Sequence, residues 1–409
     1  MDVWRAPTGC GRFPGQCEGA VMQGESRDRI AGMLGEEALE RLHAGSALPN
    51  VAYTSREWLE LERTRLMCSM WMLAGFESRL PDAGDCLPVR VAGCPLVLVR
   101  GHDGAVAAFH NVCRHRGAVI VTECRRRLGA LTCPYHGWAY GLDGRIRTRP
   151  HFHGGGRHDT APDPRANLAR VRCESWRGML FVNIDGRAGP LDRHMAPLDE
   201  HLAGWQHTAL AWGGSLVFDI AANWKHVHEN FIDVYHKFAI HPALTAFAPL
   251  ETSNPMTFIA PHLAMTWHVI ARPEEGRGVG LPRFRGLPDA LHGEGRSFTV
   301  IPTCNINLWP DHIAVLVADP EAPGRTRETI HFLFDPDAMA ESCDTVRGRV
   351  LETWDALNRE DIAVLESMQR GRVSPGFDGG SLSSFWDPAT HMFSRKVVEL
   401  MMNANGSVT

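Results

Sequence analysis

Residues 223–242 read NWKHVHENFIDVYHKFAIHP, a short stretch that is unusually rich in side chains able to bind a metal. The six such side chains are His226, His228, Glu229, Asp233, His236 and His241. Two imidazoles and one carboxylate form the ligand set of Fe(II) centres that leave coordination positions open for O2. A helix with several histidines is also consistent with a plain solvated face, so this stretch alone leaves both interpretations open.

The spacing within this stretch predicts a helix that ends close to its last histidine. Asp233 and His236 are three residues apart, so a helix would place them on one face. His241 follows His236 by five residues, a separation that turns the two rings apart on an ideal helix. Because Pro242 biases its predecessor away from the α region, we expect the helix to end or bulge before His241, which brings the rings together.

Composition and charge narrow the class of protein. The chain has 409 residues, enough for two or three domains, and 44% hydrophobic with 22% charged residues is ordinary for a globular protein. The net charge of −5 gives no support to nucleic-acid binding, and no basic run or long apolar segment indicates a membrane. Eleven cysteines without a framework spacing, and no recognisable secretory signal, predict reduced thiols and a cytoplasmic location.

The pattern divides the chain into three parts. We predict a flexible N-terminal extension over residues 1–47, an N-terminal helix with a small all-β domain over 48–185, and a larger domain over 186–409. In the first two parts, helices are predicted over 27–43 and, with Ser55 as N-cap, over 55–71.

Turn signals and apolar periodicity predict the fold class. Two Asp-Gly pairs, at 103–104 and 143–144, separate short β-rich runs of the small domain. In the larger domain, strand patterns occur at 216–221, 256–271, 297–308, 312–319 and 327–334. A long helix over about 338–371 and a last helix over 388–402 follow these strands. The chain is therefore predicted to be α+β, with helices packed on one antiparallel sheet.

A second group of candidate metal ligands lies inside the small domain. Cys113 and His115 are followed, after seventeen residues, by Cys133 and His136, in a C-x-H-x17-C-x2-H pattern. Two cysteines and two histidines can hold structural zinc. They can also hold a [2Fe–2S] cluster in which thiolates bind one iron and imidazoles the other, an arrangement that raises the reduction potential. The single residue between the first Cys and His favours the cluster, and zinc remains the alternative.

Two segments make the chain resemble a known family. NVCRHRGAVIV followed by CPYHGWAYGLDG closely resembles the Rieske domain of the ring-hydroxylating, non-haem iron oxygenases. ANWKHVHENFIDVYHKFAIHP resembles the mononuclear-iron segment of the large (α) subunits in the same family. The resemblance covers roughly residues 48–400 and implies a small all-β Rieske domain plus a larger catalytic domain with a helix-covered antiparallel sheet.

For the [2Fe–2S] cluster, the resemblance implies a ligand for each position of the Cys/His motif. Cys113 and Cys133 would bind one iron, and His115 and His136 would bind the other. A stand-alone Rieske electron carrier would lack the second histidine pair and the large C-terminal domain, so the second motif argues against that alternative.

For the mononuclear Fe(II), the resemblance implies His236 and His241 as ligands. The third ligand would be Asp361, although it is adjacent to Glu360, and only one of two adjacent helical residues can face the ion. Asp233 matches the bridging aspartate of the family. In these trimeric enzymes, that residue links an iron-ligand histidine to a Rieske histidine of the neighbouring subunit.

The resemblance implies an oxygenase component that uses O2 and electrons from a separate NAD(P)H-dependent reductase, with or without a ferredoxin. No Rossmann or flavin fingerprint occurs in the chain itself. We expect a homotrimer, with or without a β subunit, that hydroxylates an aromatic acid or related ring compound in aromatic hydrocarbon catabolism. The alternative substrate is a quaternary amine or betaine-like compound, oxidised by a monooxygenase or N-demethylase. Outside the enzymes, a scaffold with degenerate sites would require altered ligands, and each is intact.

Overall fold

The computed structural model describes residues 21–202, 205, 210–247, 249–270, 280–377 and 379–403. Its helices are α1 (Val21–Leu34), α2 (Glu36–His43), α3 (Val51–Thr54), α4 (Arg56–Leu61), α5 (Leu191–Asp199), α6 (Trp224–Ile232), α7 (Lys237–Ile240), α8 (Pro242–Phe247), α9 (Asp344–Gly371) and α10 (Pro388–Met402). None of these helices combines the length and the apolar character that crossing a lipid bilayer requires.

The strands fall into three antiparallel sheets. Those of the small domain are β1 (Met72–Phe76), β2 (Cys86–Val91), β3 (Cys94–Arg100), β4 (Val106–His110), β5 (Leu131–Thr132), β6 (Ala139–Tyr140), β7 (Ile146–Thr148), β8 (Arg170–Trp176) and β9 (Met179–Asn183). Those of the larger domain are β10 (Ala211–Ile220), β11 (Thr257–Ala260), β12 (Leu263–Val269), β13 (Glu294–Val300), β14 (Cys304–Leu308), β15 (His312–Ala322) and β16 (Arg325–Phe334).

The small domain is all-β, as its turn signals predicted. One sheet has the order β1-β9-β8-β4-β3-β2, and a three-stranded sheet has the order β5-β6-β7. The two Asp-Gly pairs lie in the turns that join β3 to β4 and β6 to β7. Both candidate cysteines belong to the apolar core of this domain, beside Phe109 and Leu131.

The larger domain confirms the predicted α+β class. Its seven strands form one antiparallel sheet in the order β10-β16-β15-β14-β13-β12-β11, and α6 and α9 pack together beside it. Helix α9 begins at Asp344, six residues later than the sequence predicted. Residues Pro336–Met339 form a separate 3₁₀ turn instead, because the Asp335 carboxylate accepts a hydrogen bond from the Asp337 N–H (3.0 Å).

The described part of residues 1–47 is not a flexible extension, and the helix predicted over 27–43 is present as two helices. Helices α1 and α2 meet at Gly35 and pack against α10 at the other end of the chain. Ile30 and Leu42 are buried, and the His391 Nε2–H donates to the Leu42 carbonyl oxygen (2.6 Å). The flexible tail predicted for the first residues lies outside the described residues, which begin at 21.

A fully buried charge pair ties the N-terminal segment to the histidine-rich helix. Ser55 caps α4 as predicted, but the helix ends earlier, in a π-helical turn over Glu62–Met67. The Glu62 carboxylate accepts hydrogen bonds from Lys225 Nζ (2.6 Å) and from the indole N–H groups of Trp58 and Trp224 (both 2.7 Å). A buried carboxylate needs such partners, so these contacts fix the start of α6 against α4.

Candidate metal centres

Two hairpin loops of the same shape hold the Cys/His motif. In each loop, a glycine lies four residues after the cysteine, and its N–H donates to the cysteine carbonyl oxygen: Gly117 to Cys113 (3.0 Å) and Gly137 to Cys133 (3.1 Å). Both glycines have positive φ angles, 78° and 68°, a backbone conformation that costs other residues about 1–2 kcal/mol. The repeated Cys-x3-Gly offset is visible in the sequence, but no role was predicted for these glycines.

The loops bury the cysteines and expose the histidines. Cys113 and Cys133 lie in the core, whereas His115 and His136 are exposed with ring centroids 4.7 Å apart. The Trp138 ring stacks parallel to His115 at 4.8 Å. Two thiols beneath two neighbouring imidazoles match the donor set of a Rieske cluster, in which each pair binds one iron.

Tyr140 adds a polar contact to the cysteine side of this site. Its hydroxyl oxygen accepts a hydrogen bond from the Arg114 N–H (3.1 Å) and lies 3.2 Å from the Cys113 sulfur. Because the oxygen already accepts from the backbone, the hydroxyl hydrogen is available to the sulfur.

The helix over the histidine-rich stretch ends earlier than predicted, at Ile232. Asn223 caps its start, and Asp233 has extended backbone angles (φ −75°, ψ 125°). The Asp233 carboxylate accepts hydrogen bonds from the N–H groups of Tyr235 (2.6 Å) and His236 (3.3 Å), and this local turn replaces further helix. Asp233 and His236 are therefore neighbours through a turn, not through a shared helix face.

Three candidate ligands of the mononuclear site come together where the two ends of α7 face α9. The donor atoms of His236, His241 and Asp361 all lie within 4.8 Å of one another. Asp361 Oδ1 is 2.8 Å from His241 Nε2 and 3.5 Å from His236 Nε2. His241 has the break in helical conformation that Pro242 suggested, with φ −117° and ψ 71°. Two imidazoles and one carboxylate on one side of the pocket fit Fe(II) with open positions.

Two further carboxylates orient the histidine rings. Asp233 Oδ2 is 3.1 Å from His236 Nδ1, and Glu360 Oε2 is 2.7 Å from His241 Nδ1. An Nδ1–H that donates to a carboxylate leaves Nε2 with its lone pair toward the metal position and makes it a stronger donor. The adjacent acids Glu360 and Asp361 thus occupy different places, one on each side of the His241 ring.

Asn230 is a site residue that was not predicted from the sequence. Its Nδ2 donates to Asp361 Oδ1 (3.1 Å) and lies 3.3 Å from His236 Nε2. It is three residues before Asp233, in the last turn of α6, and a plain asparagine gave no signal of a role there. By contrast, His226 and His228 are buried in the core and are not among the three residues whose donor atoms converge.

A cavity of about 150 Å³ opens onto the candidate iron ligands. Aromatic side chains that line it are Phe231, Trp267, Trp309 and Trp354; polar ones include Asn230, Lys237, Ser297, Asn307, Asn358 and Glu328. Glu328, on β16, is 1% exposed and accepts a hydrogen bond from Asn358 Nδ2 (2.5 Å). Burial, with a smaller effect from the Asp361 charge, raises the pKa of Glu328 to about 7.

Two family models match the chain. Residues 70–162 match the Rieske [2Fe-2S] domain, and residues 208–403 match the ring hydroxylating alpha subunit (catalytic domain). Together they contain every residue that was predicted from the sequence as a metal ligand.

Known proteins of both substrate classes resemble the chain. The glycine betaine monooxygenase oxygenase subunit of Pseudomonas aeruginosa (strain UCBPP-PA14) is 26% identical over 391 residues, which cover 88% of this chain and 90% of that protein. The benzene 1,2-dioxygenase subunit alpha of Pseudomonas putida is 32% identical over 234 residues, 55% of this chain and 50% of that protein.

The fold also matches a solved structure, the quaternary ammonium Rieske monooxygenase CntA in complex with L-carnitine. The TM-score is 0.71 with 22% sequence identity, and the match covers 88% of this chain and 96% of that chain. At this identity the likeness shows a shared fold.

Proposed function

We propose, from the premise that this chain belongs to the family of Rieske non-haem iron oxygenase large subunits, that it oxidises a quaternary amine with O2. The chain is an oxidoreductase that incorporates oxygen, and its two domains are those of a [2Fe–2S] cluster and a mononuclear iron. The main observation in favour of a cationic substrate is the pocket, where the candidate iron ligands share one cavity with a buried carboxylate and several tryptophans.

The residue roles proposed for the metals rest on donor geometry. Cys113 and Cys133 would hold one iron of the cluster, and His115 and His136 the other. His236, His241 and Asp361 would hold the mononuclear iron, supported by the convergence of their donor atoms within 4.8 Å. When bound, the mononuclear iron activates O2 and the cluster supplies an electron that one Fe(II) does not.

We propose a homotrimer in which Asp233, 3.1 Å from His236 Nδ1, would link this iron-ligand histidine to a Rieske histidine of a neighbouring subunit and so connect the two metal sites. Two exposed surfaces support this assembly. At the cluster loops, Tyr135 is 56% exposed beside the two exposed histidines. Near Asp233, Tyr235 and Phe238 are 44% and 55% exposed. Exposed aromatic side chains around polar groups are typical of protein contacts, so docking one surface on the other would bury both. A separate reductase would supply the electrons.

The substrate class is proposed from the relatives and the pocket together. The glycine betaine monooxygenase subunit aligns with nearly the whole chain. The net reaction adds one oxygen atom of O2 to an N-methyl carbon and reduces the other to water, using two electrons and two protons. The resulting N-hydroxymethyl ammonium loses formaldehyde and a proton, which leaves a tertiary amine. Asp233, Glu360 and Asn230 serve this reaction by holding the ligand rings and Asp361 in place.

Single turnovers under ¹⁸O2 test this proposal. The iron-loaded, chemically reduced protein is given glycine betaine, L-carnitine, choline or benzoate, and the products are read by mass. We expect formaldehyde and a tertiary amine from a quaternary amine, with one labelled oxygen in the formaldehyde trapped before exchange with water. No product from any quaternary amine, despite a full complement of cluster and iron, would contradict the substrate class.

Ring hydroxylation is the second candidate, and the similarity to the benzene dioxygenase subunit supports it. That similarity is higher in identity but spans about half of each chain. A cis-diol that carries two labelled oxygens would establish this alternative. The same experiment therefore separates the two substrate classes.

A further inference from the structure

Glu328 is a buried carboxylate in the substrate pocket without a cationic partner. Among the residues that the structure describes, no Lys, Arg or His forms an ion pair with it, and the Asn358 amide is its hydrogen-bond donor. Burying a carboxylate with a single neutral donor is costly unless a positive charge is supplied. The ionised form of Glu328 is therefore favoured only where the pocket supplies a positive charge.

Two other acids that are largely shielded from solvent have cationic partners. Glu62 pairs with Lys225 at 2.6 Å. Asp319 lies on β15, the strand next to Glu328, and pairs with Arg90 at 2.8 Å. Asp319 faces the opposite side of the sheet, because it follows Ala318, the cross-strand neighbour of Glu328. Glu328 differs from both because it faces a pocket, whereas Glu62 and Asp319 each face a cationic side chain.

Aromatic rings line the same pocket as Glu328. Trp354, Asn358 and Asp361 lie on one face of α9, at spacings of four and three residues, so the helix directs all three toward the cavity. Trp309 lines the cavity from the turn after β14. Tryptophan rings attract cations through their π faces, most strongly where water is excluded.

We infer that Glu328, together with Trp309 and Trp354, binds the ammonium group of the substrate and holds an adjacent carbon near the candidate iron ligands. The inference rests on the proposed function and adds a specificity-determining residue to it. A quaternary ammonium cannot lose its charge, so it remains a counter-ion for Glu328 even in a dry pocket. A neutral ring of similar size would leave the carboxylate without one.

The test measures binding, independently of turnover. Dissociation constants of the iron-loaded protein are determined by calorimetry for glycine betaine, L-carnitine and choline, and for 3,3-dimethylbutanoate. The last compound is glycine betaine with a neutral carbon in place of nitrogen. We expect at least one ammonium compound to bind, and glycine betaine to bind at least about tenfold tighter than its neutral analogue.

The variant Glu328→Gln keeps the shape of the side chain and removes its charge. We expect it to weaken binding of the ammonium compounds by at least about tenfold and not to weaken binding of 3,3-dimethylbutanoate, whose carboxylate gains nothing from the Glu328 charge. Asp319→Asn is the matched control, a partly buried acid on the other face of the sheet, and should leave all four affinities unchanged. Circular dichroism and cluster absorbance establish that both variants are folded.

Two results would overturn the inference: equal affinities for glycine betaine and its neutral analogue, or unchanged ammonium binding by Glu328→Gln. Failure to bind any of the ammonium compounds would also overturn it. None of these results would contradict the oxygenase activity itself. That activity is tested separately, and labelled product from benzoate under ¹⁸O2 would demonstrate it with another substrate class.

Discussion

The candidate metal ligands of this chain are individual Cys, His and Asp side chains, and most of them can be recognised from the sequence. Cys113, Cys133 and the histidines could be proposed as ligands because Cys and His side chains paired at such short spacings are typical of metal sites. Glu328 could not, since its place in the pocket depends on the register of β16 against β15 and on the approach of α9. Neither the strand register nor the approach of α9 can be read from the residues around position 328. Metal donors are thus easier to predict than the pocket around them.

At the same scale, we predict that Glu360→Gln weakens binding of the mononuclear iron about 10–100-fold, as loss of an outer-shell carboxylate does. The reason is that the Glu360 carboxylate lies 2.7 Å from His241 Nδ1 and its charge makes the ring a stronger donor. The neutral amide of glutamine would keep the contact but not the charge. Iron retained after dialysis against a weak chelator measures the effect, while the cluster absorbance should not change.

Glu352→Gln is the control for this change, because Glu352 is an exposed acid on the same helix α9. If Glu360→Gln retains as much iron as the control, Glu360 is a surface acid without a part in the site.

At the scale of elements, hairpins were predictable and the break after α6 was not. The Asp-Gly pairs of the small domain specify turns locally, so their strands could be located from the sequence. The stretch around Asp233 has helix-compatible residues, and its break arises because that one side chain captures the N–H groups of Tyr235 and His236. The same carboxylate then contacts the His236 ring, so the turn and the site depend on one residue.

The two cysteine loops yield a prediction about backbone conformation. Gly117→Ala should lower the temperature at which the cluster absorbance is lost, because alanine at φ 78° costs about 1–2 kcal/mol. A Cβ atom at this position meets no atom within 4 Å, so backbone strain and not a clash would be the cause.

Gly155→Ala is the comparison variant, since a Cβ there also meets nothing within 4 Å and the glycine is outside the left-handed region. Equal melting temperatures for the two variants would show that the left-handed glycine is not needed in the loop.

For the whole molecule, the sequence indicated the two domains but not how the ends of the chain meet. Residues 1–47 were predicted to be a flexible extension that carries a helix over 27–43. The partner that stabilises α1 and α2 is α10, more than 340 residues away along the chain. Contacts over such a separation leave no local pattern.

The proposed trimer yields a prediction by complementation. Cys113→Ser should lack the cluster and His236→Ala the mononuclear iron, so each variant alone should be inactive. Mixed three-membered rings should recover about a third of wild-type activity, because in each such ring one of the three interfaces joins an intact iron site to an intact cluster of its neighbour.

Co-expression with two affinity tags and sequential purification yields the mixed assemblies for this assay. Mixed assemblies as inactive as the separate variants would mean that electrons pass within one chain. A monomeric protein in solution would contradict the proposal directly.

The two similar loops at Cys113 and Cys133 make the colour of a bound cluster an indicator of whether the small domain is folded. An oxidised cluster held between them would keep its brown colour as long as both loops keep their shape and their separation. With the cluster kept oxidised, loss of that colour would therefore report the opening of the small domain. Stability of this half of the molecule can be followed by eye, without a probe being attached.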